Sequence, residues 1–293
     1  MQPTSDRRGI LGFLGAAIGV SALPACSPLG AFNTIAGRDG GSEQVAADIA
    51  FGDLPRQRLD VYAPTARGTS SPVVMFLYGG SWNSGRRQDY AFVGHALASK
   101  GFVTVVPDYR LVPEVRFPSF LEDGAKAMRW LQDNIARYGG DRQRVAISGH
   151  SAGAYNAAML ALDPRYLREA GVNPGRIKAL AALAGPYDFL PFDVASAQAA
   201  LGAWPNPKET QPITFARAGA PPAFLATGDA DTLVKPRNTL ALSKALRDKG
   251  VAVTTRLYPG MDHPGSLLAL SVRLRDRAPI LDDMTQFLRQ RLG

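Results

Sequence analysis

Five short segments of the chain are almost continuously apolar, and they constrain the fold more than any other feature. In chain order they read PVVMFLY, FVTVVP, RVAIS, IKALAALAG and PAFLATG. Strands of a parallel sheet are buried on both faces, so they are apolar along their whole length instead of at alternate positions. The five segments therefore predict a mostly parallel central sheet.

Helical patterns lie between the apolar segments. The clearest has apolar residues on one helical face and a glycine pair at its end: Leu121, Ala125, Met128, Leu131 and Ile135, then Gly139 and Gly140. Strands that alternate with helices predict an α/β fold with right-handed crossovers and helices flanking the sheet. Upstream, VAADIAF and RQRLDVYAP alternate apolar and polar residues from about residue 44, which predicts an antiparallel pair.

The first 25 residues have the layout of a bacterial export signal. Arg7 and Arg8 precede about fifteen mostly apolar residues, and the pattern resembles a twin-arginine signal. LPAC, which ends at Cys26, resembles a lipoprotein cleavage box, in which the cysteine becomes the lipidated first residue. The alternative is an ordinary secretory signal that is cut nearby. We therefore expect an exported protein, periplasmic or at the cell envelope, with Cys26 as the candidate membrane anchor.

Composition bounds the rest of the chain. Residues 26–43 read as a flexible tether, and residues 44–293 form one domain with a large core, because 46% of the chain is hydrophobic. The single cysteine excludes an intramolecular disulfide. The net charge of +8 comes from scattered basic residues that often stand beside acids, so it indicates a solvated surface and not nucleic-acid binding.

Residues 187–217 interrupt the alternation of strands and helices. The segment has weak periodicity and several prolines, and it lies between two central strands. Ligands of an open α/β sheet bind at the carboxyl ends of its strands. We expect this segment to form a small cap over that edge.

Ser151 stands where an apolar strand gives way to a helix of small residues, in GHSAG. A sharp turn from strand to helix leaves room only for tiny neighbours, and Gly149 and Gly153 flank the serine at two-residue spacing. This arrangement is a nucleophile elbow, which presents the hydroxyl above the sheet. The helix amino terminus at Ala152 also favours developing negative charge.

A serine nucleophile needs a base and a carboxylate that orients it. Of three histidines, His95 lies in an early helical stretch, and His150 adjoins the serine and is expected to point away. His263 follows the last strand pattern and is the candidate base. Asp229 and Asp231 follow PAFLATG; either could be the acid, and Asp231 is favoured by the resemblance described below.

Acyl transfer also needs donors for an oxyanion. Gly79 and Gly80 end the strand FLYGGSW, and with the Ala152 amide they are the candidate oxyanion hole. This chemistry requires neither a metal nor an organic cofactor.

At this point the chain resembles the α/β-hydrolase superfamily, in its carboxylesterase and lipase branch with hormone-sensitive-lipase-like esterases, kynurenine formamidases and prenylcysteine methylesterases. The resemblance extends from about residue 44 to the end and rests on the linked motifs YGGSW, DYRLVPE, GHSAG, GDADTLV and YPGMDH. It implies Ser151 as nucleophile, Asp231 as acid and His263 as base. The chain departs from the pattern at Tyr78, where these families usually have histidine.

The resemblance implies a serine esterase that acts on a small-molecule carboxylic ester, with a short acyl chain expected. One alternative is an arylformamidase or amidase that uses the same groups on a nitrogen leaving group. Another is a catalytically silent fold that serves as an envelope interaction module.

Overall fold

The computed structural model describes residues 28–66 and 70–293. The predicted export signal and Cys26 lie outside the described residues. Within these two ranges every helix is too short or too polar to span a bilayer.

Eight strands form one sheet in the order β1-β2-β4-β3-β5-β6-β7-β8. Their bounds are β1 Ser42–Ala50, β2 Arg58–Pro64, β3 Ser71–Leu77, β4 Val103–Pro107, β5 Gly140–His150, β6 Ile177–Leu183, β7 Ala223–Gly228 and β8 Val253–Tyr258. The pairs β1/β2 and β2/β4 are antiparallel. The remaining neighbours in the sheet, β4, β3, β5, β6, β7 and β8, run parallel to one another. Both sequence predictions, the antiparallel pair and the parallel core, are confirmed.

Nine α-helices occur in the described part of the chain. They are α1 Pro28–Ile35, α2 Ala91–Ser99, α3 Ser119–Asn134, α4 Ala152–Leu162, α5 Pro164–Glu169, α6 Ala195–Leu201, α7 Arg237–Asp248, α8 His263–Leu268 and α9 Ile280–Leu292. Helices α2 and α9 contact each other on one face of the sheet, and α3, α4 and α5 pack together on the other. The sheet is therefore covered on both sides, as its apolar strands require.

Helix α3 buries the predicted face, including Leu121, Met128 and Leu131. It ends at Asn134, earlier than the glycine pair suggested, and a 3-10 turn over Ile135–Tyr138 follows. Gly139 ends that turn in the left-handed region at φ 79°, and Gly140 already begins β5. The two glycines thus punctuate a turn and a strand and do not jointly cap one helix.

The predicted flexible tether differs from the structure over residues 28–43. Helix α1 packs Phe32 edge-on against Phe92, with ring centroids 5.5 Å apart. Asn33 donates to the Gln88 carbonyl at 3.0 Å and accepts from the Phe92 amide at 3.0 Å. These contacts come from a distant helix, so the polar and glycine-rich composition of the segment did not reveal them.

Residues 187–217 follow the carboxyl end of β6. They contain α6 and two 3-10 turns, Pro207–Thr210 and Pro212–Phe215. The Ala200 carbonyl accepts from the Phe117 amide at 2.9 Å, and the Thr210 carbonyl accepts from the Tyr155 hydroxyl at 2.7 Å. The segment is therefore anchored to the domain by hydrogen bonds at both of its halves.

Candidate active site

Ser151 occupies the junction between β5 and α4 in a strained backbone conformation. Its φ is 56° and its ψ is −126°, which a residue with a side chain rarely adopts. The Ser151 amide donates to the Leu183 carbonyl on the neighbouring strand at 3.0 Å. Strain at a single residue, held by the sheet beside it, is the geometry of a nucleophile elbow.

The two flanking glycines are required by close backbone contacts. A Cβ on Gly149 would lie 2.4 Å from the Gly153 carbonyl oxygen, and a Cβ on Gly153 would lie 2.0 Å from the Leu77 carbonyl oxygen. Both distances are far below van der Waals contact. The helix therefore approaches the sheet closely enough to form the turn only with glycine at these positions.

Three side chains from separate parts of the sequence meet at the carboxyl edge of the sheet. His263 Nε2 is 2.9 Å from Ser151 Oγ, and His263 Nδ1 is 2.7 Å from Asp231 Oδ2. All three residues are buried. In a neutral imidazole this arrangement has Nδ1–H donating to the carboxylate, which leaves Nε2 free to accept the serine proton.

The loop after β7 distinguishes the two aspartates. Asp231 Oδ1 accepts from the amides of Leu233 at 3.0 Å and Val234 at 2.8 Å, which orients its other oxygen toward His263. Asp229 is exposed and accepts from the Gly260 amide at 2.7 Å. Asp229 therefore joins two loops, and Asp231 alone of the pair contacts the candidate base.

His150, the neighbour of Ser151, contacts the backbone of the candidate base His263. Its Nε2 donates to the His263 carbonyl at 3.1 Å, and the two rings lie 4.8 Å apart. Burial, followed by the neighbouring His263, lowers the pKa of His150 to about 3. A neutral His150 thus supports the backbone of His263, a role that proximity in sequence to Ser151 could not reveal.

Tyr78 is part of a buried polar network beneath the glycine loop. Its hydroxyl donates to Asp108 Oδ1 at 2.8 Å and accepts from Arg56 at 2.8 Å. Its backbone carbonyl accepts from the Tyr109 hydroxyl at 2.7 Å. Burial raises the pKa of Tyr78 well above its ordinary value, so the phenol stays neutral and able to donate.

Arg87 connects this network to the antiparallel strands. It binds Asp108 at 2.5 Å, Asp60 at 2.8 Å and Asp48 at 2.6 Å. The guanidinium, Asp60 and Asp108 are each less than a tenth exposed. No local pattern around Arg87 indicated this role, because its three partners lie far apart in the sequence.

Gly79 lies directly against the nucleophile. A Cβ on Gly79 would be 3.0 Å from Ser151 Cβ, and the Gly79 carbonyl accepts from the Tyr90 hydroxyl at 3.1 Å. The Ala152 amide belongs to the first turn of α4, where helical amides have no intrahelical acceptor. The predicted oxyanion residues therefore adjoin Ser151 from two directions, with Gly80 next in the same loop.

Two chambers meet at Ser151 and share Ser81 and Leu233 in their walls. The first chamber, of about 290 Å³, is bounded by Trp82, Phe189, Val194 and Ala197. The second chamber, of about 370 Å³, is bounded by Leu29, Phe32, Tyr90, Leu267 and Leu268. Neither Ser81 nor the residues of α1 were predicted as site residues.

The described residues contain no candidate metal-binding cluster. Among residues 28–66 and 70–293, no group of three or more histidine, cysteine, aspartate or glutamate side chains is positioned to hold an ion.

Comparison with known proteins shows which family the sequence matches. Residues 59–246 match the BD-FAE family model. Esterase LipQ of Mycobacterium tuberculosis is 30% identical over 264 residues, which cover 81% of this chain and 61% of LipQ. A probable isoprenylcysteine alpha-carbonyl methylesterase of Oryza sativa subsp. japonica is 36% identical over 155 residues, 51% of this chain and 36% of that protein. The chain thus spans about a third to three fifths of these curated relatives.

Solved structures agree in fold. Esterase B of Lactobacillus rhamnosis superposes with a TM-score of 0.76 at 20% identity, covering 89% of this chain and 92% of that one. A truncated carbohydrate esterase from gut microbiota gives a TM-score of 0.75 at 21% identity, covering 87% and 99%. With the sheet order, the motifs and the matched region together, the chain belongs to the BD-FAE family of the α/β-hydrolase superfamily.

Proposed function

We propose that the protein is a carboxylic ester hydrolase that works through Ser151, His263 and Asp231. The observation that carries the proposal is the unbroken hydrogen-bond chain from Asp231 through His263 to Ser151. The names of the relatives, an esterase and a methylesterase, support esters over amides as the substrate class.

In the first half-reaction, Ser151 Oγ attacks the ester carbonyl carbon and its proton passes to His263 Nε2. The carbonyl oxygen becomes an oxyanion, which the amides of Gly79, Gly80 and Ala152 stabilise. The bond between carbon and the alcohol oxygen then breaks, and the alcohol leaves with the proton from His263.

In the second half-reaction, water attacks the acyl-enzyme and gives a proton to His263. The new tetrahedral intermediate collapses, the carboxylic acid leaves, and Ser151 regains its proton from His263. Asp231 holds the imidazole in one tautomer and stabilises its cationic form throughout.

The proposal is tested by fluorophosphonate labelling and by hydrolysis of an aryl acetate. We expect Ser151→Ala to abolish labelling and to reduce turnover by about 10⁶-fold, because the nucleophile itself is lost. Ser148→Ala is the matched control, since Ser148 lies on the same strand and faces Met284. Labelling of the Ser151→Ala chain, or an unchanged rate, would contradict the proposal, because another residue would then be the nucleophile. A folded wild-type chain that is neither labelled nor active would favour a silent interaction module.

We also propose a preference for short acyl chains. The first chamber is small, and its wall is a packed aromatic group: Trp82 stacks on Phe189 at 6.5 Å and meets Tyr155 edge-on at 5.1 Å. Trp82 is further held by its hydrogen bond to Asn156 at 3.1 Å. We expect kcat/KM to fall from acetate and butyrate to decanoate in a series with one alcohol. A rate that rises toward decanoate would overturn this preference.

Comparison of an aryl formamide with the aryl formate of the same ring separates formamidase from esterase, because only the leaving atom differs. A faster reaction with the formamide would mean that the preferred leaving group is an amine and that the protein is a formamidase.

The export signal and the lipidation of Cys26 remain proposals from the sequence. They are tested by the intact mass of membrane-extracted protein. A lipid-sized addition on a chain that begins at Cys26 supports anchoring, and an unmodified chain contradicts it.

A further inference from the structure

We propose that the second chamber binds the alcohol part of the ester, that this alcohol is apolar and bulky, and that Leu29 and Phe32 of α1 determine its selection. The inference rests on the proposed esterase function. It assigns to α1 a part of the substrate site that lies outside the matched family region of 59–246.

The position of the base decides which chamber receives which half of the ester. In ester cleavage the departing alcohol oxygen takes its proton from His263 Nε2, so it must lie within hydrogen-bond distance of that atom. His263 and Pro264 line the second chamber and do not line the first. The group attached to the departing oxygen therefore continues into the second chamber, and the acyl group takes the first.

The walls of the second chamber select for apolar groups. Its lining includes the side chains of Leu29, Phe32, Leu267 and Leu268 and no aspartate, glutamate, lysine or arginine. The Tyr90 hydroxyl is occupied by the Gly79 carbonyl, so its ring is the part that remains for contact with a ligand. Burial of apolar ligand surface against these side chains is favourable.

The first chamber differs in its charge. Asp193, Lys235 and Arg237 contribute to its lining. A bulky apolar alcohol that entered the first chamber would lie beside charged side chains, whereas the second chamber offers mostly apolar contacts. The difference in lining thus agrees with the assignment made from His263.

Helix α1 is held well enough to act as a wall. The contacts of Phe32 with Phe92 and of Asn33 with the α2 region fix its orientation, and Ala36 just beyond it is fully buried. Leu29 and Phe32 are only half-buried, so part of each side chain is available to a ligand. Both side chains can be changed without opening the central core.

The test uses two ester series. The first holds the acyl group as acetate and varies the alcohol through ethyl, cyclohexylmethyl and 2-naphthylmethyl, which leave with similar intrinsic ease. The second holds the alcohol as ethyl and varies the acyl chain. For the wild type we expect kcat/KM to rise from ethyl to 2-naphthylmethyl acetate.

Phe32→Ala and Leu29→Gln should each lower the ratio of kcat/KM for 2-naphthylmethyl over ethyl acetate, by about tenfold for Phe32→Ala. Neither substitution should change the ratio of kcat/KM between long and short acyl chains by more than about twofold. Val194→Ala is the matched control in the first chamber. It should change the ratio of kcat/KM between long and short acyl chains and leave the alcohol ratio unchanged. Thermal unfolding of each variant establishes that it is folded.

An unchanged alcohol ratio in folded Phe32→Ala and Leu29→Gln chains that still hydrolyse ethyl acetate overturns the assignment and leaves the proposed function standing. A shift of the alcohol ratio in Val194→Ala alone overturns it as well, because the chambers would then be reversed. A wild-type chain that hydrolyses no member of either series overturns both proposals.

Discussion

The two sides of the candidate site are built in different ways. The side that holds the proposed triad, called the triad side below, consists of three turns, each next to its own strand, and its side chains contact one another through two hydrogen bonds. The glycine-loop side is held by a buried network in which Arg87, Tyr78 and Asp108 join segments far apart in the sequence. The comparison teaches that candidate reacting groups can be encoded locally, whereas the loop beside them depends on long-range packing.

After the loss of the nucleophile itself, the largest expected effect separates the two aspartates of one loop. Asp231→Asn should reduce kcat by about 10⁴-fold, because an amide no longer holds His263 in the required tautomer. Asp229→Asn, in the same loop, should change kcat by less than about threefold, since only its contact with Gly260 is weakened. Steady-state kinetics on an aryl acetate measures both, and equal losses in the two variants would contradict this division of roles.

The second prediction concerns the stability that the buried Arg87 network provides on the glycine-loop side. Arg87→Met should lower the free energy of unfolding by about 3–5 kcal/mol, because Asp60 and Asp108 remain buried without their partner. Lys244→Met removes an exposed ion pair with Asp248 and should cost about 0.5 kcal/mol or less. Urea unfolding gives both values. Similar losses would mean that the Arg87 network is no more important than a surface pair.

His150 allows a pH experiment on the triad side. Its lowered pKa of about 3 keeps it neutral in the folded chain, whereas the unfolded chain binds a proton below the ordinary value of 6.5. The free energy of unfolding therefore falls as the pH decreases from 6.5 toward 3, by up to about 1.4 kcal/mol per pH unit from this group.

In His150→Gln that contribution is absent. We expect the wild type to lose stability more steeply than the variant between pH 6.5 and 5, and the two to run parallel above pH 7.5. Urea unfolding across this range makes the measurement. Parallel curves at all pH values would show that His150 titrates alike in both states.

The smallest effect concerns the Tyr78 hydroxyl. Tyr78→Phe leaves Arg56 and Asp108 each short of one partner and should cost about 1–3 kcal/mol of stability. Because the glycine loop loses its brace, kcat should fall by about tenfold with little change in KM.

Tyr62→Phe is the control for that variant. The Tyr62 hydroxyl is buried and has no hydrogen-bond partner within the described residues, so its removal should leave both stability and kcat nearly unchanged. A rise of KM with kcat unchanged in Tyr78→Phe would point to a loss of substrate binding instead of a change in loop geometry.

The sequence alone determined the order of strands and helices along the chain and the position of the elbow. Continuous apolar segments specify strands buried on both faces, and GHSAG specifies a turn that only small neighbours permit. These signals are local, because each depends on residues a few positions apart. For that reason Ser151 and His263 could be proposed before their distances were known, whereas Asp231 was preferred to Asp229 only through the family resemblance.

Tertiary structure alone decided the surroundings of those groups. The ordered α1, the support that His150 gives to His263, and the three carboxylates around Arg87 all depend on partners from distant elements. A side chain's burial and hydrogen-bond partners are set by the chain segments that pack against it, and a sequence lists those segments without their arrangement. The candidate reacting groups were therefore predictable from the motifs, whereas the shape of the two chambers followed only from the packed fold.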